Sequence, residues 1–460
     1  MFNGDHYRLL LLLILYTVQG IPMGFLMRSM PIMLKKYYSY SDIGVLAMCS
    51  YPYKFKFLIA PIVDTVYWKR LGRRRSWIIP IQLLAGIIMF IVAMNLQTLI
   101  QDYSVHIVAL AFTAIFFCLA VQDIAVDGWA VTIVKEENLN YSATVQNVGL
   151  SLGIGISTTI YLALNSSHFC NSFIRPWYVN PSLLELEDSV YSEPIINEKT
   201  FMIGWGILTI FASLYAFLLH NEKDDRIKFK EEDTLGVIDT FKLAKNLVFN
   251  RHTMVLIFFW VVTKLFSRFS LTQDLYLLNE KKYDQGNYSI ATAIKFPCEI
   301  MTSLLISKYA FSNPFRTKYI FLFVSIVVNL LSVNVFLYNY DSLVVYSPYL
   351  VDICVIVMVV ANNVASTAEF NCDIAIMNKM CNKGNGGTHI TIFASLMNAS
   401  GIISDLYSYR VVDNFGMFMP TFTGSILSVL VLILVIPILK ILEKTKREDF
   451  YHPLEKQKVE

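Results

Sequence analysis

Residues 122–130 read QDIAVDGWA, and they place two carboxylates four apart inside an apolar stretch. That spacing is one helical turn, so Asp123 and Asp127 share a face of any helix that contains them. A carboxylate within a bilayer is costly unless it meets a partner or water, so such a pair marks a working site. Proton coupling, hydrogen bonding to a solute through Gln122, Asp123 and Asp127, or a structural bond across a helix bundle all fit. Trp129 fits either a ring-stacking surface or an aromatic anchor at the membrane interface, and the anchor is the plainer of the two. The phrase returns 250 residues on as CDIAIMN, with Asp373 in the place of Asp123. Glu369 and Asp405 are further acidic candidates of the same kind.

Basic residues form the complementary set. Lys54 and Lys56 lie in a second apolar segment, Lys264 and Arg268 in a seventh and Lys295 in an eighth. Lys264 and Arg268 share a helix face by their spacing of four. Cations at these depths need a wet cavity or a partner, and a cavity lined by them suits a polyanion. Lys295 has Glu299 one turn later as a local partner. Lys54 and Lys56, two apart, cannot both face one cavity, so one of them snorkels toward the headgroups.

The elements that must hold these residues follow from composition. The 460 residues are 55% hydrophobic and 16% charged, with mean hydropathy +0.51, whereas soluble domains carry about a quarter charged residues. Twelve stretches are expected to cross a hydrocarbon core about 30 Å thick as helices. They lie near 7–27, 43–67, 76–98, 104–134, 142–165 and 199–219, then near 252–277, 289–309, 317–338, 346–377, 387–411 and 418–441. A charged stretch divides them, giving an N-terminal six-helix half (1–220), a cytosolic linker (221–251), a C-terminal six-helix half (252–442) and a cytosolic tail (443–460).

With both termini cytosolic, 25 Lys and Arg fall on the cytosolic side and seven on the other. That bias is the positive-inside rule, and Lys308, Arg316 and Lys318 count among the cytosolic 25. The first span serves as its own insertion signal. Sequons at Asn165 and Asn287 fall on the exoplasmic side and one at Asn140 on the cytosolic side. Seven cysteines without regular spacing give no metal site or disulfide framework. Nothing calls for a cofactor or a nucleic-acid partner; the bilayer is the evident surroundings, and a homo-oligomer stays open.

Each half contains an acidic helix, a short turn, then a helix rich in small residues: YSATVQNVGLSLG (141–153) and GGTHITIFASLMNASG (386–401). Small residues let helices approach closely. An all-α membrane protein of two six-helix halves rocking about a central cavity is the major facilitator architecture. The loop APIVDTVYWKRLGRRRSW (60–77) resembles the signature of that superfamily. Asp64, Arg73 and Arg74 are then expected to act in a cytosolic gate, Asp64 pairing with an arginine or with a helix N-terminus. The alternative is that Arg70, Arg73, Arg74 and Arg75 only set topology.

LYTVQGIPMGF (15–25), the 60–77 loop and VQDIAVDGWAVTIV (121–134) together resemble the acetyl-coenzyme A transporter family of solute carriers. Smaller matches lie at 163–175, around Lys264, at 304–309 and at 386–388. The resemblance implies import of acetyl-CoA from the cytosol into the lumen of the endoplasmic reticulum, by a multi-pass protein of that membrane. It also implies that Lys56 and Lys264, where the family has basic residues, contact phosphates; Arg268 and Lys54 depart from its pattern. The family's long lumenal insert before the last helix is here only VVDNFGMFMP (411–420).

The acidic phrase is shared with bacterial muropeptide permeases, so another anionic solute, a muropeptide or a different acyl-CoA or nucleotide, is the first rival. A membrane acyltransferase would need an intramembrane base, for which His389 is the candidate, but it has no use for a repeat of two halves. A sensor on a transporter fold would bind without flux.

Overall fold

The computed structural model describes residues 5–68, 70–102, 104–134, 139–179, 193–219, 237–266, 269–380 and 386–450, and these residues form helices and connecting turns. Helix is what the sequence dictates: in a bilayer each backbone N–H and C=O must be satisfied within its own segment. Eight helices among the described residues are long and apolar enough to cross a membrane, against twelve expected. They are α1 (His6–Leu34), α3 (Arg75–Met94), α4 (Val105–Ile133, whose first 26 residues qualify), α5 (Leu139–Gly155, continuing to Asn165), α6 (Glu198–Leu219), α9 (Pro314–Leu337), α10 (Pro348–Met380) and α12 (Phe418–Lys444).

The other four expected spans depart for identifiable reasons. The second begins as α2 (Tyr40–Ala47) and then breaks into Tyr51–Lys54 and Ala60–Thr65. Pro52 and Pro61 start those two pieces, because proline lacks the N–H that would continue a helix but suits its first turn. The seventh, α7 (Arg251–Lys264), stops at Lys264, and the chain resumes helix at Ser270–Leu275. The eighth and eleventh, α8 (Gln285–Ser312) and α11 (Gly386–Phe415), are unbroken helices in which some side chains lie outside the described residues, and the described part of α11 is too polar to pass as an apolar span.

By packing, the chain falls into two compact units. The first comprises Met1–Tyr37, Val45–Val237 and Asp284–Ile290; the second comprises Tyr38–Gly44, Ile238–Tyr283 and Ala291–Glu460. In the first unit α1 packs most extensively on α5, and α3 on α6. Glycines set the α1–α5 contact. A Cβ on Gly153 would lie 2.7 Å from the Cα of Gly20, and one on Gly149 would lie 2.7 Å from the Cβ of Tyr16. Both glycines belong to the small-residue stretch at 141–153. In the second unit α9 packs on α10 and α12, while α7 packs on α11 and α12.

The loop between the second span and α3 is itself ordered. Trp77 Nε1 donates to the Val66 carbonyl at 2.6 Å, and Ser76 Oγ accepts from Trp68 N–H at 2.9 Å. Gly72 turns the chain with φ +97°, a conformation that costs a side chain about 1–2 kcal/mol.

Candidate functional site

The two carboxylates that opened the sequence analysis sit on α4 within the first unit, and four other segments converge on them. Asp123 has no solvent-accessible surface. Its neighbours along the helix, Ala125 and Val126, are equally buried in an apolar core with Leu12, Leu15 and Trp129. An unpaired carboxylate there would cost several kcal/mol. Three donors offset that cost: Gln19 Nε2 of α1 at 2.6 Å, the Tyr53 hydroxyl at 3.1 Å, and the Lys56 ammonium in direct contact.

Asp127, one turn on, accepts from the Tyr16 hydroxyl of α1 at 2.9 Å and from Gln146 Nε2 of α5 at 2.7 Å. Lys56 Nζ reaches it at 3.4 Å. The glycine contact between α1 and α5 is what lets Tyr16 and Gln146 meet on one carboxylate. The break after Lys54 is what turns Tyr53 and Lys56 toward α4. One ammonium thus serves two carboxylates, with Asp123 sealed and 32% of the Asp127 side chain open.

The remaining residues of the acidic phrase are close by. Gln122 is buried beside Asp123. Trp129 is fully buried in the apolar core, so its indole packs inside the bundle and is not an interface anchor. Arg74, nearly buried, lays its guanidinium against the bare Cα of Gly128, between Asp127 and Trp129. Its neighbour Arg75 donates to the Phe217 carbonyl at the end of α6 at 2.5 Å. This gives one arginine of the cluster a structural task beyond topology. Arg73 is half-buried in the turn before α3; the side chain of Asp64 lies outside the described residues, as do Arg268 and the side chain of His389.

The repeated phrase on α10 has its own partner set in the second unit. Asp373 is ion-paired with Lys318 of α9, a lysine with no exposed surface, and accepts from Trp260 Nε1 of α7 at 2.7 Å. Lys318 therefore lies inside the helix bundle, not in the cytosolic segment to which the charge count assigned it. Its burial had a readable signal: with Leu322 and Ile326 it forms an i, i+4, i+8 stripe on the buried face of α9. Lys264, one turn after Trp260, donates to the Met397 carbonyl and to Ser400 Oγ of α11, both at 3.1 Å. Lys295 is half-buried on α8, with Glu299 a turn later, and Lys54 is half-buried before the break. A neutral network completes the unit: Gln273 donates to Asn329 at 2.7 Å and accepts from Asn362 at 3.1 Å.

Sequence reasoning missed Tyr16, Gln19, Tyr53 and Gln146. Each is a neutral donor, and without a charge it does not stand out from the other polar residues of these spans.

A family model described as "acetyl-coenzyme A transporter 1" matches residues 8–321, which include the whole α1–α4–α5 cluster and both lysines, Lys56 and Lys318. The chain belongs to this acetyl-coenzyme A transporter family. Among its relatives, a Schizosaccharomyces pombe protein is 28% identical over 410 residues, 87% of this chain and 74% of that one. A membrane protein of Saccharomyces cerevisiae is 42% identical over 185 residues, 36% of this chain and 33% of its own length. The anhydromuropeptide permease of Escherichia coli K12 is 29% identical over 155 residues, 34% of this chain and 31% of the permease.

Solved structures share the fold at low identity. A bacterial homologue of the lysosomal transporter Spinster, in an inward-facing occupied state, superposes with TM-score 0.63 at 11% identity, covering 97% of this chain and 98% of that one. A D-xylose–proton symporter gives TM-score 0.63 at 9% identity, over 96% and 98%. This member of the acetyl-coenzyme A transporter family is thus a multi-pass membrane transporter with a major facilitator fold, and family and fold point away from an enzyme.

Proposed function

We propose that the protein carries acetyl-CoA from the cytosol into the lumen of the endoplasmic reticulum by alternating access, with both termini in the cytosol. The observation that supports this most is the acetyl-coenzyme A transporter model matching residues 8–321 of the chain. Acetyl-CoA is a polyanion, and the cations at Lys264, Arg268 and Lys295 are the groups we assign to its phosphates. Charge-assisted bonds to phosphate are among the strongest available to a side chain. Lys264, held by a carbonyl and a hydroxyl with Glu369 as a further electrostatic partner, can exchange the two neutral acceptors for a phosphate oxygen.

Lys56 is engaged by two carboxylates. Its part in binding, together with that of Gln122, Asp123 and Asp127, is to exchange partners as solute arrives. Trp129 supports their helix from within the core. Asp64, Arg73 and Arg74 form the cytosolic gate in this reading, with Arg74 clasping α4 at Gly128.

The match to the anhydromuropeptide permease favours one rival solute, a muropeptide. Uptake of labelled acetyl-CoA into liposomes containing the purified protein separates the two. Saturable uptake, inhibited by excess CoA and indifferent to anhydromuropeptide, supports acetyl-CoA. Uptake of anhydromuropeptide alone would transfer the assignment to that solute.

A further inference from the structure

We propose that Asn362 and Asn363 of α10, positioned by Gln273, bind the adenine base of the solute. This deepens the acetyl-CoA reading and rests on it. The cluster begins where the seventh span breaks. α7 ends at Lys264 and helix resumes only at Ser270, so Gln273 sits on the second piece. Non-helical backbone at membrane depth persists only where it is buried in protein or lines a wet cavity. Gln273 is buried, donates to Asn329 Oδ1 of α9 at 2.7 Å, and accepts at Oε1 from Asn362 Nδ2 at 3.1 Å. Asn362 Nδ2 also donates to Ser332 Oγ at 3.3 Å, within the wider turns that α9 makes over Leu331–Leu337. Turns of that kind recur at functional sites.

The depth and facing of α10 fit a solute site. Asn362 and Asn363 lie near the middle of its 33 residues, the level at which transporters built from two halves hold their solutes. Asp373 is about 16 Å further along the helix, so its pairing with Lys318 is a separate feature. Two faces of α10 are open. Ile353 and Val357, one turn apart, are exposed and apolar, which suits lipid. Ser366 is exposed and Asn363 half-buried on a different face, at least about 90° round the helix. A hydroxyl and a carboxamide open at this depth mark a wet face.

The hydrogen bonds of the cluster define what it can take. Asn362 spends its N–H groups on Gln273 and Ser332, which leaves its Oδ1 to accept. Asn363 has the opposite need, because its Nδ2 has no acceptor among the described residues, and a buried donor without an acceptor is costly. An acceptor and a donor on consecutive residues complement adenine, which presents an N6 amine beside the N7 acceptor. Side-chain carboxamides read that edge in nucleic acids. Hypoxanthine has a carbonyl in place of the amine, so it offers Asn362 an acceptor against an acceptor. In CoA the base is one ribose away from phosphate. Lys264, the cation assigned to phosphate, precedes Gln273 by nine residues on the same broken span.

The test is competition against uptake of labelled acetyl-CoA into liposomes by adenosine diphosphate, inosine diphosphate and pantetheine, in wild type, Asn362→Leu and Asn363→Leu. Thermal stabilisation of the purified protein by the same three compounds gives a second readout that needs no transport. Wild type should prefer the adenine nucleotide over the inosine nucleotide by on the order of tenfold, and both variants should lose that preference. Asn363→Leu removes an amide nitrogen that bonds to no described residue, so without nucleotide it should unfold at the wild-type temperature. Equal action of the two nucleotides on wild type, or a preference kept in Asn363→Leu, would overturn the proposal. Pantetheine competition that both substitutions abolish, with the nucleotides unaffected, would overturn it in favour of an amide-binding site. A protein that moves no acetyl-CoA yet is stabilised selectively by the adenine nucleotide would keep the base site and sink the acetyl-CoA reading instead.

Discussion

The two copies of the acidic phrase have the same leading aspartate and different surroundings. In the first unit Asp123 is followed by a second carboxylate, and both draw on one lysine that arrives from a broken helix. In the second unit the position of Asp127 is taken by Met377; Asp373 is bonded by a lysine and an indole, and Glu369, one turn before it, interacts with the same lysine. Lys318 comes from an unbroken stretch of α9 and is fully buried. In the first site one carboxylate, Asp127, is about one-third open, while in the second the bonded pair Asp373–Lys318 is buried. A duplicated motif has thus become one cluster suited to exchanging partners and one suited to holding helices together.

The sharpest way to break this contrast is to strip each lysine. Lys318→Met leaves Asp373 buried without its cation and should destabilise the protein by about 3–5 kcal/mol, read as a large loss of folded protein in thermal unfolding. Adding Asp373→Leu should recover most of that loss, because a buried pair replaced by apolar groups is close to neutral. Lys56→Met should abolish transport with a smaller stability cost, since Asp123 keeps two neutral donors, Gln19 and Tyr53, where Asp373 keeps one, Trp260. Equal destabilisation by Lys56→Met and Lys318→Met would remove the distinction.

Next in size is the helix contact that supports the first cluster. Gly153→Ala drives a methyl toward Gly20 and should cost about 1–3 kcal/mol, with transport falling as Tyr16 and Gln146 separate. Trp260→Phe removes one donor from Asp373 and should cost about 1–3 kcal/mol, with uptake per folded molecule unchanged. The smallest effect is expected at the exposed pair Lys281–Asp341. There Asp341→Asn should shift stability by at most about 1 kcal/mol, measured in the same unfolding assay.

The parts of this account that could be read from the chain are those that violate hydropathy. Asp123, Asp127, Lys56 and Lys264 stand out because charge is rare in apolar runs, and the echo at Asp373 stands out because it repeats. The major facilitator fold followed from the length and number of those runs together with the repeat. The broken second span was less visible: Pro52 and Pro61 are in plain view, but the apolar run continues through them. Lys318 was misplaced because it lies within one turn of a helix start, where a charge count assigns it to the loop, and only its stripe with Leu322 and Ile326 argues otherwise. The neutral donors Tyr16, Gln19, Tyr53 and Gln146 could not be found from composition, because their role depends on helices meeting at Gly20 and Gly153 and, for Tyr53, on the break after Lys54.

The claim that the two units divide the work is tested most directly by neutralising each ion pair and measuring uptake of labelled solute per folded molecule. The variants are Lys56→Met with Asp123→Asn, and Lys318→Met with Asp373→Leu, each in liposomes. Retained uptake in the second and loss in the first is the predicted result. Retained uptake in the first, or loss confined to the second, would contradict the account.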